Sequence, residues 1–242
     1  MGGRTSREGI SLQAMTSFTI GSAPTTRLED RRDFDALLAR VPVSDRAKSE
    51  LTAMMESPER HYHGLNHLAL LWRRHRLYAA AEGLDAPEVE TLIACAIAYH
   101  DCVYERGRRD NEARSAEVWL EASLGAPLSP PDRLWIADTI RATADHLAYP
   151  DPAPDAPLRE RARVWVLDLD LTPLGEIDAD FDRNTELLRL EVPHLTEAQY
   201  DAGRLGFLRK FADAPRVYRT PTLTAKFEAQ ARANFARQLV AG

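Results

Sequence analysis

Residues 92–101 read Leu92-Ile93-Ala94-Cys95-Ala96-Ile97-Ala98-Tyr99-His100-Asp101. Leu92 to Ala98 is apolar nearly all round, which marks a helix buried in a core. The run is far shorter than the roughly 20 apolar residues of a membrane span. It ends in an imidazole next to a carboxylate. A carboxylate at the end of a core helix is costly unless it is paired or metal-bound.

The chain on either side is also helical in character. Ala, Leu, Arg and Glu recur, period-2 alternation is not sustained, and no Asn-Gly or Asp-Gly hairpin turn occurs. The predicted fold is all-α with ten helices. The first runs from about Leu28 to Arg40, the second from Ser44 to Glu56 with Ser44 as cap, and the third from Tyr62 or Asn66 to Glu82 before Gly83. The fourth follows Pro87 and ends between Asp101 and Tyr104. The fifth runs from its cap Asp110 to Leu124, and the sixth opens at Ser129-Pro130-Pro131 and ends near His146. A proline-dense loop, Pro150 to Pro157, separates these from a seventh helix over 158–174. Helices over 178–191, 196–212 and 221–239 complete the chain. Tyr200, Phe207, Leu208 and Phe211 form an apolar stripe on the ninth, and all four tryptophans fall on helices, where core packing is expected. Residues 1 to 25 read as a tail, and 26–242 as a single domain whose helices from about 176 are a candidate subdomain.

A net charge of −6 argues against binding a nucleic-acid polymer but leaves room for a small phosphorylated substrate held by local arginines. Cys95 and Cys102 lie about 10 Å apart along a helix, too far for a disulfide, and form no Cys-x-x-Cys pair. Free thiols, with no signal-peptide core and no membrane span, predict a cytoplasmic protein.

Three separated motifs carry the chemistry: His63-Gly64-Leu65-Asn66-His67, His100-Asp101 and Asp168-Leu169-Asp170. His63 and His67 are four apart and neighbours on a helical face, unless the helix starts late and leaves His63 on the lead-in turn. For His100-Asp101, local helix capping and metal ligation are both open. Of Asp168 and Asp170, only one can face a given point, and burial alone does not choose between them.

Taken in order, these motifs resemble the H…HD…D pattern of the HD superfamily of metal-dependent phosphohydrolases. The similarity is closer to a bacterial family of predicted HD phosphohydrolases. The segments Tyr62-His63-x-x-x-His67, His100-Asp101-x-Val103-Tyr104 and Asp110-Asn111-Glu112-x-x-Ser115-Ala116 match that family, as do Leu169-Asp170-Leu171 and Ala229 to Asn234. The resemblance spans about residues 28 to 240. It implies an HD-type helical bundle with extra C-terminal helices. It also implies a metal held by His67, His100, Asp101 and Asp170, Asp170 being preferred because Leu171 follows it. His63 corresponds to a histidine that lies near the leaving group in the similar cyclic-nucleotide phosphodiesterases. Gly64 departs from the usual Asn.

Two imidazoles and two carboxylates suit Mn, Fe, Co, Ni or Zn, and Mg less well. Such an ion keeps positions open for water and a phosphate oxygen. Glu112 is a candidate to orient water, or else a first-turn acid favouring the helix dipole. Asn111 and His146 are candidate substrate contacts, His146 also a candidate second-metal ligand, and Arg60 and Arg204 are candidates to fork onto phosphate. The function implied is hydrolysis of a nucleotide or another small phosphoester. The alternatives are an HD-type di-iron oxygenase, with ligands added from His146 or Glu112, and a helical binding or scaffold module without turnover.

Overall fold

The helix with the apolar sequence is the centre of the molecule. In the computed structural model, which describes residues 27–153 and 155–241, α4 (Pro87–Tyr99) is buried continuously from Leu92 to Tyr99. Around it lie α1 (Leu28–Arg40), α2 (Asp45–Met55), α3 (Leu65–Tyr78), α5 (Asn111–Ala122), α6 (Pro130–Ala142) and α7 (Leu158–Leu171). The chain closes with α8 (Asp178–Leu190), α9 (Glu197–Asp213) and α10 (Pro221–Ala241). Short 3₁₀ turns extend α3, α6 and α7. Among the described residues there is no strand, and no helix is long and apolar enough to cross a membrane. The tail expected over residues 1 to 25 lies outside the described residues.

α4 packs on α1, α3, α6 and α7, so two of the helices that carry site residues, α3 and α7, rest directly on it. Each fully buried Leu or Ile contributes about 1.5–3 kcal/mol to this packing. Trp72, Trp119 and Trp165 are buried as expected. Trp135 is not: it is half-buried at the surface, with the Arg163 guanidinium 5.5 Å above its ring. Its indole stays at the boundary because the cation covers it.

The helix ends follow from local chemistry. Ser44 accepts from the Ala47 N–H and Ser129 from the Asp132 N–H, each supplying an acceptor that the first turn lacks. Thr196 and Gln199 form a reciprocal capping box on α9. Gly83 closes the turn after α3 at φ 66°, a left-handed conformation open to glycine. Asp110 occupies the N-cap position of α5, but its carboxylate caps nothing; it is drawn to the Arg108 guanidinium at 2.5 and 2.7 Å instead.

The C-terminal segment is bonded into the rest of the bundle. The Tyr218 hydroxyl donates to the Leu171 carbonyl, and the Asn234 amide donates to the carbonyls of Leu174 and Glu176. At Gly175 α10 comes so close that an added Cβ would lie 2.6 Å from Phe227 Cβ. On α9, Leu208 and Phe211 face the core, whereas Phe207 is largely exposed.

Candidate metal centre

α3 begins at Leu65, so His67 lies on its first turn and His63 on the lead-in turn. His100 closes α4, Asp101 follows it, and Asp170 sits near the end of α7. These ends converge. His67, His100 and Asp170 each offer an atom within 4.8 Å of the others. His67 Nε2 is 2.9 Å from Asp170 Oδ1 and 3.8 Å from Asp101 Oδ2. His100 Nε2 is 3.1 Å from Asp101 Oδ2 and 3.4 Å from Asp170 Oδ1. His146, at the end of the turn after α6, places Nε2 2.8 Å from Asp170 Oδ2.

His100 shows what the cluster lacks. Its Nδ1–H donates to the Ile97 carbonyl at 2.9 Å, which turns Nε2 inward. That Nε2 is buried and makes no hydrogen bond, although two carboxylate oxygens lie close by. Two anionic oxygens around that buried nitrogen call for a positive charge between them, carried by a proton or a metal ion. Burial disfavours the imidazolium of His100, but the charges of Asp101 and Asp170 outweigh it and hold its affinity for a proton well above the ordinary histidine range. Burial likewise works against ionised Asp101 and Asp170, and the positive field of His100 overcomes it, so both stay below the usual carboxylate range. The orphaned nitrogen and the mixed N/O donor set could therefore hold a metal ion.

Asp168 lies two residues before Asp170 and belongs elsewhere. It is fully buried and accepts from the backbone N–H groups of Arg219 and Thr220 at 2.6 and 2.7 Å and from the Thr220 hydroxyl at 3.0 Å. It anchors the segment leading into α10, and the geometry leaves Asp170 as the one available to the cluster.

Beside the cluster, His63 is partly exposed, with its ring centroid 6.2 Å from that of His67. Its Nδ1 is 2.6 Å from Glu191 Oε2, and its ring stacks on Tyr104 at 4.3 Å between centroids. Burial opposes protonation of His63, but the bond to Glu191 and the fields of Asp101 and Glu191 leave its affinity for a proton raised. Glu191 is the residue beside the cluster that the motifs do not reveal. The available signal is its place at the end of α8, where the helix dipole disfavours a carboxylate.

The remaining candidates are placed differently. The Arg60 guanidinium is spent on backbone: it donates to the carbonyls of His63 (2.7 Å), Asp101 (2.6 Å) and Cys102 (2.7 Å), which removes it as a free phosphate fork. Asn111 is buried and bonds the backbone of Glu105 in both directions, closing the loop between α4 and α5 rather than facing a substrate. Arg204 bonds Gln238 and pairs with Asp201, with no bond to the cluster. Glu112 lies on the first turn of α5, and no hydrogen bond or ion pair among the described residues ties it to the site. Gly64 caps α3 where an added Cβ would lie 3.2 Å from the Met55 carbonyl oxygen, a close approach that favours glycine. A cavity of about 250 Å³ adjoins His67, walled by Tyr62, Asn66, Leu70, Arg183 and Asn184. Comparison with protein-family models, curated proteins and solved structures finds no match to this chain.

Proposed function

We propose that this chain is an HD-type metal-dependent phosphohydrolase acting on a nucleotide or another small phosphoester. The observation that carries the reading is the convergence of His67, His100, Asp101 and Asp170 around an imidazole nitrogen with no partner. These four residues would hold Mn, Fe, Co, Ni or Zn, with Mg less suited. When bound, such an ion activates water as a nucleophile and neutralises charge on the phosphoryl group. The chain supplies the rest. The Ile97 carbonyl fixes the tautomer of His100, and His146 fixes the second oxygen of Asp170. The partly exposed His63 stands beside the cluster, in place to protonate a leaving oxygen.

The test is phosphate release from a nucleotide panel by purified protein supplied with Mn²⁺, measured against a His100→Ala/Asp101→Ala control. Release at least a hundredfold above that control is the expected result. Equal rates and no bound metal would instead favour the scaffold reading.

One observation favours a second reading, a di-iron oxygenase: His146 lies on the second oxygen of a carboxylate already in the cluster. Two irons per chain with substrate-dependent oxygen consumption would select it. One metal per chain and no oxygen uptake would exclude it.

A further inference from the structure

Glu191 follows the last turn of α8 and has no exposed surface. A carboxylate at a helix C-terminus meets an unfavourable dipole, and burial adds a desolvation cost. Its partners account for the position. Oε1 accepts the backbone N–H of Tyr62 at 2.7 Å and of His63 at 2.9 Å. Oε2 lies 2.6 Å from His63 Nδ1. These bonds cross about 128 residues of sequence. Tyr104 stacks on the imidazole with the planes 24° apart, and the Arg60 guanidinium holds the His63 backbone by donating to its carbonyl.

We propose that Glu191 is a positioning residue: it keeps a proton on Nδ1 of His63 and so makes Nε2 the nitrogen that exchanges a proton with the substrate. The second half rests on the phosphohydrolase reading. In the step itself, water forms the new P–O bond as the old P–O bond breaks, and the water protons leave with the released dihydrogen phosphate. The His63 imidazolium gives its Nε2 proton to the departing oxygen, which leaves as a hydroxyl. The ring is left neutral with its remaining proton on Nδ1, still shared with Glu191. A neutral imidazole in water carries its proton mainly on Nε2, so the hydrogen bond at Nδ1 must impose the other tautomer.

The geometry predicts what Glu191→Gln does. Oε1 faces two backbone N–H donors, so the amide oxygen must stay there. The amide NH₂ then falls opposite Nδ1 and donates to it. The substitution reverses the tautomer of His63 with little change in shape.

The experiment is long-range ¹⁵N–¹H correlation spectroscopy of the full-length chain loaded with diamagnetic Zn²⁺, the His63 signals being assigned by their loss in His63→Gln. Above the His63 titration, wild type is expected to show the Nδ1–H form and Glu191→Gln the Nε2–H form. Phosphate release by the variant should fall about 10²-fold in kcat with KM nearly unchanged. Wild-type His63 in the Nε2–H form overturns the proposal, and that spectrum decides even if the variant fails to fold. An unchanged tautomer in a folded variant also overturns it. A reversed tautomer with kcat intact overturns the proton-exchange half alone. The expected tautomers in a protein that hydrolyses no phosphoester uphold the hold of Glu191 on His63 and sink the phosphohydrolase reading instead.

Discussion

Asp168 and Asp170 stand two residues apart on α7 and serve different ends of the molecule. A helix turns about 200° over two residues. Asp168 therefore reaches the Arg219 and Thr220 amides before α10, while Asp170 meets the imidazoles of His67 and His146. The two positions are expected to separate stability from ligation. Asp168→Ala leaves the buried Arg219 unpaired and should cost about 3–5 kcal/mol in urea unfolding. The folded fraction should still bind metal. Asp170→Ala should cost less in stability and bind no metal by elemental analysis. Equal metal content in the two variants would contradict the assignment.

Metal should stabilise the folded chain. Zn²⁺ at a hundred times its Kd adds about 2.7 kcal/mol to a protein that binds it only when folded. For a domain of this size that raises Tm by roughly 5–10 °C. His100→Ala should show no such rise, because it removes the inward nitrogen that has no partner in the folded chain. Thermal scans with and without Zn²⁺ provide the check.

Acid should loosen the α3–α7 contact through His75. This imidazole is buried, stacks on Trp72 at 4.9 Å and accepts from Trp165 Nε1–H at 3.0 Å. Burial lowers its pKa to about 4. The unfolded chain therefore takes up the proton first. The contribution of neutral His75 is complete above about pH 6.5 and is lost as pH falls toward 4, by about 3 kcal/mol. His75→Phe should be less stable at pH 7, since Trp165 loses its acceptor, but its stability should fall less between pH 7 and pH 4. Parallel slopes for the two proteins in urea titrations would remove His75 from the account.

Gly175 and Gly203 should respond to alanine in opposite directions. At Gly175 the new methyl would meet Phe227 Cβ at 2.6 Å and its carbonyl oxygen at 2.7 Å, and backbone does not yield cheaply. Gly175→Ala is expected to cost about 1–3 kcal/mol or more. Gly203, inside α9, has nothing within 4 Å of an added Cβ. Gly203→Ala should stabilise the protein by up to about 1 kcal/mol. Paired urea unfolding curves measure both.

The helices are legible in the sequence because their causes are local. Ser44, Ser129, Pro87 and Gly83 act within a turn of where they stand, and the apolar run over 92–98 states its own burial. The cluster residues could be listed because imidazole and carboxylate at the ends of apolar helices have few inexpensive environments. The roles of Arg60 and Glu191 were not legible. Arg60 serves carbonyls 41 and 42 residues away, and Glu191 serves amides about 128 residues away. Neither separation leaves a periodic trace. Burial and spacing left the choice between Asp168 and Asp170 open for the same reason, since it depends on where Arg219 and Thr220 return to α7; only the resemblance, through Leu171, preferred Asp170.

Arg60 has a consequence for how this chain can vary. One guanidinium grips both the turn that bears His63 and the end of the segment that bears Asp101. These two arms are therefore geared together, and a residue inserted between α2 and α3 would throw both out of alignment at once. Lengthening the connection between α2 and α3 should thus be far rarer among descendants of this sequence than exchange of Arg204, whose bonds lie on α9 and α10.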